Sequence, residues 1–259
     1  MERIFGIALV CLISAGAAEA RQAIVRREAF DARSILWIAA HPDDETLIAP
    51  LLGRLCVEGT SQCSLLVATR GENGGCALPG GCVDLGAIRE QEMRAAAAAF
   101  RAAITQWRLP DVMSDVAATW SAEATIAAIA GFIASAQPTV IVTFDPNHGS
   151  TCHPAHRAIG AMVIEAARRL GGVAPAVFVV ETRAIPAGSG FEFENAMKQS
   201  IAVDARATWH YLVDDATIHA SQFTPDNVAA LASTPEGQRV VFIASATAIM
   251  GADYLAPCE

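Results

Sequence analysis

A single lysine, Lys198, stands in the whole 259-residue chain, and no cluster of arginines compensates for it. Lys and Arg together number 18 against 27 Asp and Glu, giving a formal net charge of -9 and a pI near 5.1. Without a basic face the chain is not expected to neutralise phosphates, which disfavours a nucleic-acid partner. The acidity itself reads as solubility. No segment offers the roughly 20 apolar residues that a spanning helix needs. No Cys-x2-Cys pair occurs, which argues against a structural zinc cluster. Repeats, low-complexity tracts and Pro/Ser-rich linkers are also missing, so residues 21–259 read as a single domain. What is there is apolar: 53% hydrophobic and 17% charged residues suit a well-buried globular protein.

The N-terminus reads as a signal peptide. Met1-Glu-Arg3 supplies a positive n-region, 4–17 an apolar stretch too short to anchor, and Ala18-Glu-Ala20 a small-x-small cleavage pattern. Cleavage after Ala20 predicts an exported chain, periplasmic or secreted, that starts at Arg21 and has no stable membrane span. Cysteine usage agrees with this. Outside Cys11 there are six, and an even number in an exported chain favours disulfides. Cys56–Cys63 and Cys76–Cys82 would close short loops, leaving Cys152–Cys258 as a third pair. The oligomeric state is not legible.

Apolar runs alternate with helical patterns, predicting an α/β fold with a mostly parallel sheet flanked by helices. Strands are expected over 35–40, 64–69, 139–144 and 176–182, with a weaker one over 240–244. Helices are expected over 46–57, 85–103, 122–136 and 157–170. A further helix over 207–222 would carry Trp209, Leu212, Val213 and Ile218 as its apolar stripe.

The chemistry concentrates in two clusters, each after a strand. Ala40-His-Pro-Asp-Asp-Glu45 follows the first, where open α/β sheets form their ligand sites. His41 and Asp44 could grip a divalent metal while Asp43 stays free for proton transfer. The rival reading is that Asp43-Asp44-Glu45 caps the helix that follows. The second cluster, His153-Pro-Ala-His156, tips the balance to metal: His41, Asp44 and His156 would form a His2Asp set, with a position left for water. Asp43 would then act as general base, and His153 would stabilise an oxyanion. These parts suit amide hydrolysis. His148 is placed on a loop rim, and His210 and His219 at the surface or core edge. Arg70 and Glu72 read as a structural pair.

Ala40-His-Pro-Asp-Asp-Glu45, Thr69-Arg-Gly-Glu72, Arg89-Glu-Gln-Glu92, Leu109-Pro-Asp111 and His153-Pro-Ala-His156 occur in an order that resembles the LmbE-like/PIG-L family. Those proteins are zinc-dependent N-acetylglucosaminyl deacetylases and related amidases on a Rossmann-like sheet. The resemblance covers roughly residues 34–185. It implies Zn2+ (or another divalent metal) on His41, Asp44 and His156, Asp43 and His153 as catalytic residues, and Arg89 and Asp111 on sugar hydroxyls. It also implies an N-acetylated sugar or glycoconjugate as substrate. The alternatives are another N-acyl amide, or a degenerate carbohydrate-binding member. One departure stands out: Ala155 occupies the place of an aspartate that could orient His153 and raise its pKa.

Overall fold

The run at 34–40 shows no polar alternation, as expected of a strand covered on both faces, and the computed structural model places it in the middle of the sheet. The structure describes residues 33–147, 149–180, 201–204, 208–233 and 240–245. Strand β1 (Ser34–Ala39) pairs in parallel with β2 (Gln62–Thr69) on one side and with β4 (Val140–Phe144) on the other. Outside these lie β3 (Ala103–Leu109) and β5 (Ala176–Val180), also parallel. Two antiparallel strands extend the β5 side, β7 (Val240–Ser245) and then β6 (Ile201–Asp204). The order is β3-β2-β1-β4-β5-β7-β6. From β1 the chain therefore runs outward in one direction through β2 and β3, and in the other through β4 and β5. A crevice opens at the carboxyl ends where that direction switches. Trp37 and Phe144 pack at 5.3 Å between ring centroids under that crevice, and both are fully buried.

The expected helix over 46–57 is three short pieces instead. A 3-10 turn at Asp44–Ile48 leads into α1 (Ala49–Leu52) and then a π-helical turn at Gly53–Val57. Pro50 has no N–H to give to the Thr46 carbonyl, so the α ladder cannot run back through the first turn. The expected helix over 85–103 ends early, as α2 (Leu85–Ala99). Arg101 turns the chain with φ 54°, and the residues from Ala103 onward form β3, a strand the alanine-rich pattern hid. The helix over 122–136 is present as α4 (Ala122–Ala136), preceded by the short α3 (Val116–Thr119). After α5 (Gly149–Cys152), α6 (Pro154–Leu170) begins three residues earlier than expected. Proline suits a first helical turn.

Helix α6 packs against β1 and β4. The approach is close enough that a Cβ on Gly160 would lie 2.2 Å from the Phe144 carbonyl oxygen. Toward the C-terminus, α7 (Trp209–Ile218) and α8 (Pro225–Ala232) follow, the second with no sequence expectation behind it. The apolar stripe predicted for α7 is only half-buried; Asp215 and Ala216 form its buried face. α7 packs against α1, α2 and the 3-10 turn.

Disulfides Cys56–Cys63 and Cys76–Cys82 are both present. Cys152 is disulfide-bonded; its expected partner Cys258 lies outside the described residues, as do residues 1–20 and His148. Among the described residues no helix is long and apolar enough to cross a membrane.

Candidate metal centre and active site

The turn after β1 reverses sharply, and Asp43 takes up the strain with φ 91°. Non-glycine residues seldom sit there, although Asp and Asn tolerate it best. Asp43 stands at the position before the 3-10 turn but makes no side-chain capping bond. Asp44 points back instead: its Oδ2 accepts the backbone N–H of Ala40 (3.0 Å) and of His41 (2.7 Å). The capping role weighed for this acidic run is thus not the one the structure displays.

With Asp44 held, the histidines converge on it. His41 Nδ1 and His156 Nε2 are 3.0 Å apart, and His156 Nε2 lies 3.0 Å from Asp44 Oδ1. Asp44 Oδ2 is 3.7 Å from His41 Nδ1. Each imidazole is fixed by its other nitrogen. His41 Nε2 faces Asp111 Oδ1 at 3.2 Å, and His156 Nδ1 is 2.9 Å from the Gly149 carbonyl, to which it donates. That pattern leaves His41 Nδ1 and His156 Nε2 as the atoms aimed at one point, the arrangement metal-binding histidines adopt. Two imidazoles and a carboxylate so placed fit a divalent metal ion. His153 joins them, with its ring centroid 4.7 Å from that of His41 and 4.7 Å from that of His156.

The electrostatics follow from packing. Burial would lower His41, but Asp111 and Asp44 more than offset it and lift it to about 9. Burial would raise Asp44, yet His156 and His41 pull it well below the carboxylate range. Asp111 ends below its usual value because His41 outweighs its burial. Asp43 is pushed up to about 6 by burial, against the pull of Arg89. His153 drops to about 4 through burial and the neighbouring His41 and His156.

Arg89 is the anchor of the turn. Its guanidinium donates to Asp43 Oδ1 (2.6 Å), to the Gly71 carbonyl (3.1 Å) and to the Pro42 carbonyl, and the side chain is buried. Gly71 has φ 63°, and a Cβ there would press on that guanidinium. Asp111 is buried too, taking the Asn73 N–H at 3.0 Å on Oδ2. Both residues expected to meet sugar hydroxyls are therefore engaged with the protein. Arg70 does not pair with Glu72 as expected: it reaches Asp84 (3.3 Å) and Glu90 (2.9 Å). Glu72 instead accepts the Asp111 N–H at 3.3 Å.

A family profile described as PIG-L: GlcNAc-PI de-N-acetylase matches residues 36–167. The chain belongs to the PIG-L family. A comparison with curated protein sequences finds no match. Among solved structures, N,N'-diacetylchitobiose deacetylase from Pyrococcus horikoshii is similar with a TM-score of 0.62 and 19% identity, covering 94% of each chain. A deacetylase of the teicoplanin biosynthesis pathway follows, with TM-score 0.59, 15% identity, and 82% of this chain and 97% of that one covered. The 4-carboxy-2-hydroxymuconate hydratase of Pseudomonas putida is also similar, at TM-score 0.59, 15% identity, and 88% and 98% coverage. Identities this low establish a shared fold. The expected Rossmann-like α/β architecture and PIG-L membership thus both hold.

Within this PIG-L chain, the departure at Ala155 has a structural answer. Ala155 is fully buried, and its backbone N–H donates to His153 Nδ1 at 3.2 Å. The neutral ring then carries its proton on Nε2, so an amide does the orienting in place of a carboxylate.

His219, expected at the surface or core edge, is fully buried, and its Nε2 donates to Glu45 Oε1 at 2.5 Å. It lies beyond the end of the PIG-L match, and no motif pairs it with the first cluster in sequence. His210, by contrast, is exposed as expected.

Proposed function

We propose that this protein is an exported, zinc-dependent amidohydrolase that removes the acetyl group from an N-acetylated sugar or glycoconjugate. The observation that carries the reading is the convergence of His41 Nδ1, His156 Nε2 and Asp44 Oδ1 beside Asp43, which Arg89 holds. PIG-L membership supports the reaction class, and the chitobiose and teicoplanin-pathway deacetylases support the substrate class. His41, Asp44 and His156 would hold the ion, which when bound supplies a water of lowered pKa and a Lewis acid for the carbonyl.

The remaining roles belong to the chain's own groups. Asp43, held by Arg89, takes the water proton and returns it to the leaving amine. His153, with its proton on Nε2, donates to the oxygen that gains charge. Asp111 holds His41 and Arg89 holds Asp43, and a sugar hydroxyl is the further partner proposed for both. Export is supported by the two described disulfides, which persist in oxidising compartments. N-terminal sequencing of exported protein should start at Arg21.

The direct test is acetate release from N-acetylglucosamine and its conjugates by metal-loaded protein, with Asp43→Asn as control. Stoichiometric metal without acetate release from these compounds would overturn the substrate class. Failure to bind any divalent metal after reloading would overturn the enzyme.

A further inference from the structure

Behind the metal-facing groups, a second set of ionisable side chains is sealed from water. Glu45, Asp215 and His219 are 0%, 1% and 0% exposed. Besides the Glu45 bond, His219 Nε2 lies 3.9 Å from Asp215 Oδ1, and its Nδ1 lies 4.0 Å from Glu92 Oε2. Burial would lower His219, but Glu45 and Asp215 more than offset it and lift it to about 9. The ring makes its one short bond through Nε2, to Glu45, and turns Nδ1 toward the more distant Glu92.

The residues that follow make their own contacts. Ser221 donates to Glu92 through its N–H (2.8 Å) and its Oγ (2.5 Å). Its carbonyl accepts the Ala77 N–H at 2.8 Å. Gln222 Nε2 donates to the Gly75 carbonyl at 2.8 Å.

We propose that His219-Ala-Ser-Gln222 is a positioning unit for Asp43, with His219 acting through Glu45. This rests on the deacetylase reading and adds to it a segment outside the PIG-L match. Three routes converge on one carboxylate. Glu45 is two residues from Asp43 on the same strained turn. Glu92 lies one helical turn from Arg89 on α2, and Arg89 bonds Asp43. The loop gripped at Gly75 and Ala77 begins at Gly71, whose carbonyl holds Arg89 from the other side. None of the bonds that orient Asp44 or His156 runs through this unit, and it reaches His41 only at two removes, through Asn73 and Asp111. Loosening it should therefore cost far more in rate than in metal affinity.

The variants separate a positioning role from a merely structural one. His219→Gln keeps an amide N–H at the reach of Nε2, whereas His219→Asn falls a bond short. Misplacing a catalytic group by about 1 Å costs on the order of 100-fold, so His219→Asn should lose about 10- to 100-fold in kcat. Its KM and metal content should stay at wild-type values, and His219→Gln should recover most of the rate. Wild-type kcat in His219→Asn, or equal loss in both variants, would overturn the unit. Ser221→Ala tests it without opening the buried pair: lower kcat at unchanged KM, with faster hydrogen exchange over 71–77, is expected. Unaltered exchange over 71–77 would overturn the unit whatever the activity. A wild type that releases no acetate fails the deacetylase reading instead.

Discussion

Two buried histidine–carboxylate clusters flank the turn from His41 to Glu45, and they differ in which atoms meet. In front, His41 Nδ1, His156 Nε2 and Asp44 Oδ1 converge on a common point, where an incoming ion would displace the proton that metal-free His41 carries. Behind, donor faces acceptor, with the His219 ring answered by Glu45 at 2.5 Å. The same residue types therefore coordinate on one side and brace on the other. Residue identity alone does not separate the two; what each ring faces does, Asp111 and Gly149 holding the front rings from behind and Glu45 meeting the His219 ring head-on.

The sharpest way to break that comparison is at Asp43, between the clusters. Asp43→Asn should lower hydrolysis by about 10²- to 10⁴-fold, the usual range for a general base. Asparagine tolerates positive φ, so metal analysis should still find the ion bound. His41→Ala and His156→Ala should lose both metal and activity, which the same assay reads directly.

Gly160→Ala disturbs the front cluster alone, through α6. Its Cβ would press on the Phe144 carbonyl, and overpacking of this kind costs about 1–3 kcal/mol. A denaturation midpoint would show it, and metal affinity should fall with it.

The rear cluster should reveal itself through pH. His219 is raised to about 9 from 6.5, so its contribution to stability is full below about 6.5 and is lost as pH climbs through about 9. The groups facing it are Glu45 and Asp43 from the turn, Asp215 from α7 and Glu92 from α2. Asp215, also raised, pushes in the same direction. Thermal melts of the metal-free protein should therefore fall across that window, where His41, lifted to about 9 as well, adds the same trend, and His219→Gln should remove the rear cluster's share of the slope. The smallest effect on the chemistry itself is expected at Ala155→Asp, although a carboxylate at this fully buried position costs stability. Because the Ala155 N–H already orients His153, the added carboxylate should bring no gain in acetate release.

The front cluster was readable because its members arrive in two tight groups, each after an apolar strand, and each supplies its own neighbours. The rear one was hidden by distance: Glu45 and His219 are 174 residues apart. Local pattern also misled, since the apolar side chains of α7 suggested the wrong buried face. Central strands such as β1 and β4 announced themselves by uninterrupted hydrophobicity. The edge strand β3, with Thr105, Gln106 and Arg108 only partly buried or exposed, did not. There the helix-forming alanines before it dominated the pattern, and only pairing with β2 decides the outcome.

The His156 ring lies flat on Phe144, with centroids 4.0 Å apart and planes 7° from parallel. Stacked on one face and hydrogen-bonded at Nδ1, it has its pose before any ion arrives. In calorimetric terms, metal uptake should move almost no apolar surface into or out of water. The heat of binding should then change little with temperature, because the heat-capacity change tracks that surface. Proteins that fold around their zinc behave oppositely, coupling binding to the burial of a whole core. Here the ion would enter a finished cradle.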